Sequence, residues 1–159
     1  MSILILLEQK FIETRFYFHK LLIKNKCMKI KRTSSTPFFA EITAGRQIGY
    51  SEELIADYEV VKFIQDYQDD IIEKKNIWLS VSLSECRIIL SGQVEPHFKV
   101  RFINYPKFPL PVDKLKKEVE EFAKAYLSRF RQNRIVIEYA KETVMLEKSE
   151  VIDPRIKIS

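Results

Sequence analysis

Apolar and polar positions alternate with period two in several short stretches, and recur with helical period in two longer ones. Phe38, Ala40 and Ile42 alternate with Phe39, Glu41 and Thr43, which predicts a strand just after the polar run Thr33-Ser34-Ser35-Thr36-Pro37. Gly45 and Gly49 bracket a turn. Ser51 with Glu52 and Glu53 reads as a helix start, a hydroxyl cap followed by acids in the positive first turn. From there to Lys75, Val60, Ile64, Tyr67 and Ile71 fall on one helical face. Leu79, Val81 and Leu83 alternate with Ser80, Ser82 and Ser84, a half-buried strand, and Ile88 to Leu90 is a short strand ending at Gly92. Phe98, Val100 and Phe102 alternate with Lys99, Arg101 and Ile103. Tyr105 to Pro111 is too rich in proline for a ladder and reads as a loop. A second helical stripe follows, Leu115, Val119, Phe122, Tyr126 and Phe130. Ile135, Ile137 and Tyr139 mark another strand, and Val144 to Leu146 another short one. The tail from Pro154 to Ser159 could add an edge strand or cross to a neighbouring subunit.

This order repeats. The strand at Phe38 recurs at Phe98, sixty positions on, and Leu79-Val81-Leu83 recurs as Ile135-Ile137-Tyr139, fifty-six on. Each half is strand, helix, strand, short strand. Two such units predict an α+β fold: a four-stranded mixed sheet, built from duplicated β-α-β units, with two helices on one face and short extra strands. The other face of that sheet is left bare, and an oligomer would cover it.

Composition changes this picture mainly at the amino-terminal end. At 159 residues with 46% hydrophobic positions, the chain can bury a core without staples, and disorder is excluded. Its net charge of +5 invites a nucleic-acid reading. Residues 1–37, however, carry eight Lys or Arg against Glu8 and Glu13, while residues 38–159 carry 19 basic and 20 acidic groups. The basic excess belongs to a leader, 1–36, and the domain 37–159 has no electrostatic footprint for nucleic acid. The apolar run Ile3 to Leu7 is too short to span a membrane, and its basic residues follow it, which argues against export. Such a leader could lie as a helix on a membrane or protein partner, with the core as a trimerisation platform. Equally, Met28 could be the true start, with 1–27 an over-extended reading frame. A cytoplasmic location is expected.

Candidate chemistry is sparse. Cys27, Cys86, His19 and His97 lack the clustered spacing of a structural zinc site, so no metal and no cofactor are expected. Lys74 and Lys75 suit the negative end of the first helix, or could hold a substrate carboxylate. Lys99 and Arg101 project from the polar phase of their strand, where Arg101 is a further candidate carboxylate ligand. Glu138 reads as a surface acid. Arg46 could reach an anion, although Gly-Arg-Gln-Ile-Gly is not a phosphate loop. His97 and Cys86 have no partner at a diagnostic spacing, and Trp78 reads as core or interface.

The order of motifs resembles the tautomerase superfamily, in the branch of the macrophage migration inhibitory factor and 5-carboxymethyl-2-hydroxymuconate isomerase. Pro37-Phe38-Phe39-Ala40-Glu41 is similar to that family's opening Pro-x-Phe strand. Ile77 to Phe98 is similar to its central link, and Asn133 to Tyr139 to its penultimate strand. The resemblance implies a homotrimer, a small carboxylate ligand, and Pro37 as a catalytic amine that moves a proton between carbon and oxygen. Pro37 has 36 residues before it, so its nitrogen is an amide and is not basic. The reading that follows is a tautomerase-fold protein without proton-transfer chemistry, an oligomeric binding or structural module. Two alternatives stand beside it: an isomerase of small α-keto acids or hydroxymuconates, if processing frees Pro37, and an adaptor that uses the basic leader.

Overall fold

The computed structural model describes residues 30–49 and 51–150. The expectations for the leader helix, the start at Met28 and the tail beyond Pro154 lie outside the described residues. The chain divides into two units, Met1–Thr33 and Ser34–Ser159, and every element below belongs to the second.

Strand β1, Ala40–Gly45, is followed by helix α1, Asp57–Lys75. Strands β2, Ser80–Leu90, and β3, Gln93–Ile103, form a hairpin. Helix α2, Val112–Arg129, then leads to strands β4, Arg134–Tyr139, and β5, Thr143–Glu147. All five strands join one sheet in the order β2-β3-β1-β4-β5, and every neighbouring pair is antiparallel.

This corrects the expected fold class, the four-stranded mixed sheet of the tautomerase type. The two short apolar runs assigned to extra strands are parts of the sheet proper. Leu79–Leu83 and Ile88–Leu90 are one continuous strand of 11 residues. The polar run Ser84 to Arg87 between them stays in the ladder because β3 pairs with it throughout. Ser91 and Gly92, with φ of 47° and 81°, make the two-residue turn whose twist suits an antiparallel hairpin. Pro96 sits inside β3 without harm, since β1 ends at Gly45 opposite His97 and asks no amide of residue 96.

Helix α1 begins five residues later than a cap at Ser51 implies, with Ala56 at the cap position. Ser51 instead closes a turn, its hydroxyl donating to the Ile48 carbonyl at 2.7 Å. At the true start the Glu59 carboxylate accepts from the Ala56 amide at 3.0 Å, half of a capping box. The helix stops at Asn76, whose left-handed φ of 55° returns its amide to Ile72.

One sheet face is covered. Ala40, Ile42 and Ala44 of β1 stand beside Phe102, Val100 and Phe98 of β3, and Ile42 and Ala44 beside Ile137 and Ile135 of β4. All of these are buried. Over them lie Val60, Ile64 and Ile71 of α1 and the α2 stripe Leu115, Val119, Phe122 and Tyr126. Phe63 knits the two helices together, its ring edge-on to Phe122 at 5.3 Å and to Tyr126 at 5.6 Å. Each large side chain of this layer contributes about 1.5–3 kcal/mol by burial, so removing Phe122 to alanine costs roughly 3–5 kcal/mol. No helix among the described residues is long and apolar enough to cross a membrane.

Candidate functional site on the open sheet face

The period-two rule that buries Ile42 and Val100 sends their neighbours to the opposite face. That face carries Glu41 and Thr43 from β1, Lys99 and Arg101 from β3, Glu138 and Val136 from β4, and Ser82, Ser84 and Cys86 from β2. Register fixes who meets whom: Glu41 lies between Arg101 and Glu138, and Thr43 between Lys99 and Val136. Lys99 reaches diagonally along the face to Glu41, Nζ to Oε1 at 2.5 Å.

Glu41 is only 16% exposed, so this ion pair is partly withdrawn from water although none of the described helices covers this face. The hydrogen bond to Glu41 holds the Lys99 ammonium above its ordinary pKa, with Glu138 adding to the effect and desolvation opposing it. Burial pushes the Cys86 thiol up, against the pull of Lys99, so Cys86 is a protonated and weakly reactive thiol. The Arg101 guanidinium lies 5.3 Å from the Phe39 ring centre. The face thus offers two carboxylates, two cations and a row of hydroxyls within one plane.

Of the residues singled out from sequence, Lys99, Arg101, Glu138 and Cys86 stand here, whereas the candidate carboxylate ligands on α1 do not. Lys74 pairs with Asp70 at 2.5 Å, and Lys75 donates to the nearly buried Glu118 at 2.8 Å, bracing α1 against α2. Both lysines therefore belong to the helix layer, and the sheet separates them from Arg101. Pro37 is exposed, and Asn104 fixes its approach to β1: the Asn104 amide donates to the Thr36 carbonyl at 3.0 Å. Arg46 is occupied by Asp57 at 2.6 Å, Glu85 at 3.0 Å and the Ile55 carbonyl at 3.1 Å, and lies over Phe98. His97 Nδ1 lies 3.1 Å from the Glu95 carbonyl. Trp78 stacks on Phe108 at 5.0 Å, half exposed at the end of the sheet where β2 begins. No cluster of His, Cys, Asp and Glu among the described residues could hold a metal ion.

The sequence alone singles out neither Glu41 nor Thr43. The signal was present, because both occupy the polar phase of the opening strand. What alternation could not supply was the cross-strand neighbour that gives Glu41 its cation.

The architecture is that of a two-layer protein, a five-stranded antiparallel sheet with two helices on one face. No family model matches the chain, and no curated protein matches it. Two solved structures do. A phage SAM lyase in complex with S-methyl-5'-thioadenosine is 17% identical, with a TM-score of 0.57, covering 77% of this chain and 98% of its own. A phage SAM lyase in the apo state is 16% identical, with a TM-score of 0.59 and the same coverage. The likeness is one of fold.

It overturns the tautomerase resemblance, since the neighbours belong to a different fold family. The reading as a tautomerase-fold module, with its migration-inhibitory-factor-like and isomerase descriptions, is corrected with it. The physical reason is that a motif order read along one chain does not fix which strands pair. The continuous β2–β3 hairpin and the fifth strand in the sheet are the pairings that decide it.

Proposed function

We propose that the open sheet face binds a sulfonium nucleoside of the S-adenosylmethionine type and that the chain cleaves its carbon–sulfur bond. The observation that carries this reading is the Glu41–Lys99 pair, flanked by Arg101 and Glu138, on the bare face of a sheet that shares the fold of phage SAM lyases. Fold alone does not assign an activity, so the argument rests on the chemistry of that face.

S-Adenosylmethionine presents an α-carboxylate, an α-ammonium, a ribose diol and a sulfonium centre. Arg101 and Lys99 suit the carboxylate, while Glu41 and Glu138 suit the ammonium and the diol. Cleavage needs little from the protein at sulfur: the bonding pair stays on sulfur, which leaves as a neutral thioether. The demand lies on the carbon side, where a base or a nucleophile must supply an electron pair. A face that fixes both ends of the amino acid meets that demand by orientation. A cytoplasmic location belongs to the same reading, with Cys86 present as a free thiol.

The test is to incubate the full chain with S-adenosylmethionine and follow S-methyl-5'-thioadenosine by chromatography and mass, with calorimetry to measure binding of both compounds. Time-dependent thioether release is expected, lowered at least ~10-fold by Glu41→Gln and by Lys99→Met, each loss equivalent to about 1.4 kcal/mol or more. Binding of the thioether without cleavage would recast the chain as a nucleoside-binding protein. Neither binding nor cleavage at millimolar substrate would refute the proposal.

A further inference from the structure

The open face ends in aromatic side chains. Along β3, Lys99, Arg101 and Ile103 succeed one another on that face at intervals of about 7 Å. Ile103 stands opposite Ser80, the first residue of β2. Two positions before Ser80, Trp78 keeps the same phase, because Ile77 and Leu79 on either side of it turn into the core. Beyond Ile103 the buried Asn104 is followed by Tyr105, which again faces out. Trp78 stacks on Phe108 with ring centres 5.0 Å apart and planes 19° apart. Tyr105 continues the set, 6.4 Å from Phe108 and tilted by 31°.

These rings are held in place by the backbone around them. Pro106 occupies the second position of a turn that the Phe108 amide closes by donating to the Tyr105 carbonyl at 2.9 Å. The Asn104 side chain closes the wider loop, bonding the amide and the carbonyl of Leu110 at 3.0 Å and 3.1 Å. On the other side Gln68 fixes the approach to β2, its amide donating to the Leu79 carbonyl at 2.8 Å. Trp78 and Phe108 are nevertheless each 38% exposed, and Tyr105 is 48% exposed. Lys107 adds a cation, its Nζ 5.9 Å from the Phe108 ring centre. A rigid, partly open set of flat rings is a stacking platform for a nucleobase.

We propose that this aromatic shelf takes the adenine of the ligand, the base stacking on Trp78 while the amino-acid end lies over Arg101 and Lys99. This role rests on the reading of the open face as a nucleoside site, where Arg101 and Lys99 meet the carboxylate and Glu41 and Glu138 the ammonium and diol, leaving the base without a partner. Continuity favours that occupant. The row from Lys99 to Ile103 is about 13 Å long, the scale of an extended adenosyl amino acid. It runs from charged to aromatic in the order that such a molecule does.

Trp78 is the only tryptophan of the chain, so its fluorescence reports on the shelf directly. The full chain is titrated with adenosine, with S-methyl-5'-thioadenosine and with S-methylmethionine, a sulfonium amino acid that has no base. Excitation at the red edge of the indole band avoids purine absorption. Both nucleosides should quench Trp78 saturably, and S-methylmethionine should not. By calorimetry, Trp78→Leu and Phe108→Leu should weaken S-methyl-5'-thioadenosine at least ~5-fold with circular dichroism unchanged, whereas Trp78→Phe, which keeps a ring, should retain most of the affinity. The wild-type titration stands even where a variant misfolds. No saturable quenching by either nucleoside at millimolar concentration, equal quenching by S-methylmethionine, or folded Leu variants that bind as wild type would each overturn the proposal. If S-methyl-5'-thioadenosine is released from substrate while Trp78 stays unquenched, the shelf is refuted and the reading of the open face stands. If the nucleosides quench Trp78 but no cleavage occurs, the shelf stands and the lyase reading falls.

Discussion

Asn104 follows the last residue of β3 and spends its whole amide on backbone. Its nitrogen donates to the Thr36 carbonyl at 3.0 Å and to the Leu110 carbonyl at 3.1 Å, and its oxygen accepts from the Leu110 amide at 3.0 Å. The residue is 5% exposed, so water cannot replace these partners readily. Asn104→Ala therefore removes three bonds and leaves two carbonyls and one amide without a partner. At about 1 kcal/mol per bond, with a spread of roughly 0.5–1.5 each, the loss is about 3 kcal/mol. For a domain of this size that lowers Tm by about 10 °C, at an unchanged denaturant slope. Asn104→Asp sharpens the test. Its carboxylate keeps the bond from Leu110 but turns negative charge toward two carbonyl oxygens, so its folded pKa rises above the ordinary value of about 3.9. With the folded pKa raised, stability is retained below about pH 4 and is lost as pH rises through the folded value. Urea unfolding followed by fluorescence, across pH ~4 to ~8, measures both variants. The reasoning fails if Asn104→Ala stays within ~0.5 kcal/mol of wild type, or if the Asp variant tracks wild type at every pH.

Three further outcomes follow from the packing. A Cβ on Gly45 would meet Gln132 Oε1 at 2.5 Å, and Gln132 is held by bonds to the Gln47 and Phe130 carbonyls, so Gly45→Ala should cost ~1–3 kcal/mol. Pairing it with Gln132→Ala should recover part of that loss in chemical denaturation. Lys75→Met strands the Glu118 carboxylate, whose side chain is 4% exposed, and should cost ~1–3 kcal/mol because the half-exposed lysine end lets some water in. The double change Lys75→Met with Glu118→Leu should be more stable than the single one; if it is weaker, the ion pair is not the reason for the loss. Burial raises the phenol pKa values of Tyr67, Tyr126 and Tyr139, helped at Tyr67 by Glu118 and at Tyr139 by Glu120. Stability should hold below pH ~10 and fall as pH rises beyond it, and ultraviolet titration should leave Tyr67, Tyr126 and Tyr139 protonated until unfolding. Ionisation of all three at pH ~10.5 with near-ultraviolet dichroism intact would contradict this.

Much of the local structure was legible along the chain. The stripe Leu115, Val119, Phe122, Tyr126 and Phe130 is buried in full, and the alternation at Phe98, Val100 and Phe102 marks the inward phase of β3. The start of α1 was not, because Ser51-Glu52-Glu53 has the chemistry of a helix cap and of a turn alike, and the bridge between Gln47 and Leu54 selects the turn. The length of β2 was also hidden. Ser84 to Arg87 has no apolar alternation to announce a strand, and it is held extended by the ladder to β3. Lys74 and Lys75 attracted attention as adjacent cations at a helix end, and their partners Asp70 and Glu118 give each a structural role that spacing along the chain could not disclose for Glu118, 43 positions away.

The sequence by itself determined which faces are apolar and where two helices and most strands lie, because these follow from periodicity within a single segment. Only the tertiary structure decided the strand order and the single antiparallel sheet of five strands, and therefore the fold. Strand order depends on which segments pair across tens of residues, and several pairings are compatible with one alternating pattern. The candidate site belongs to the same category. Glu41 is an ordinary polar position on an opening strand until β3 brings Lys99 to 2.5 Å from it, 58 residues away in sequence.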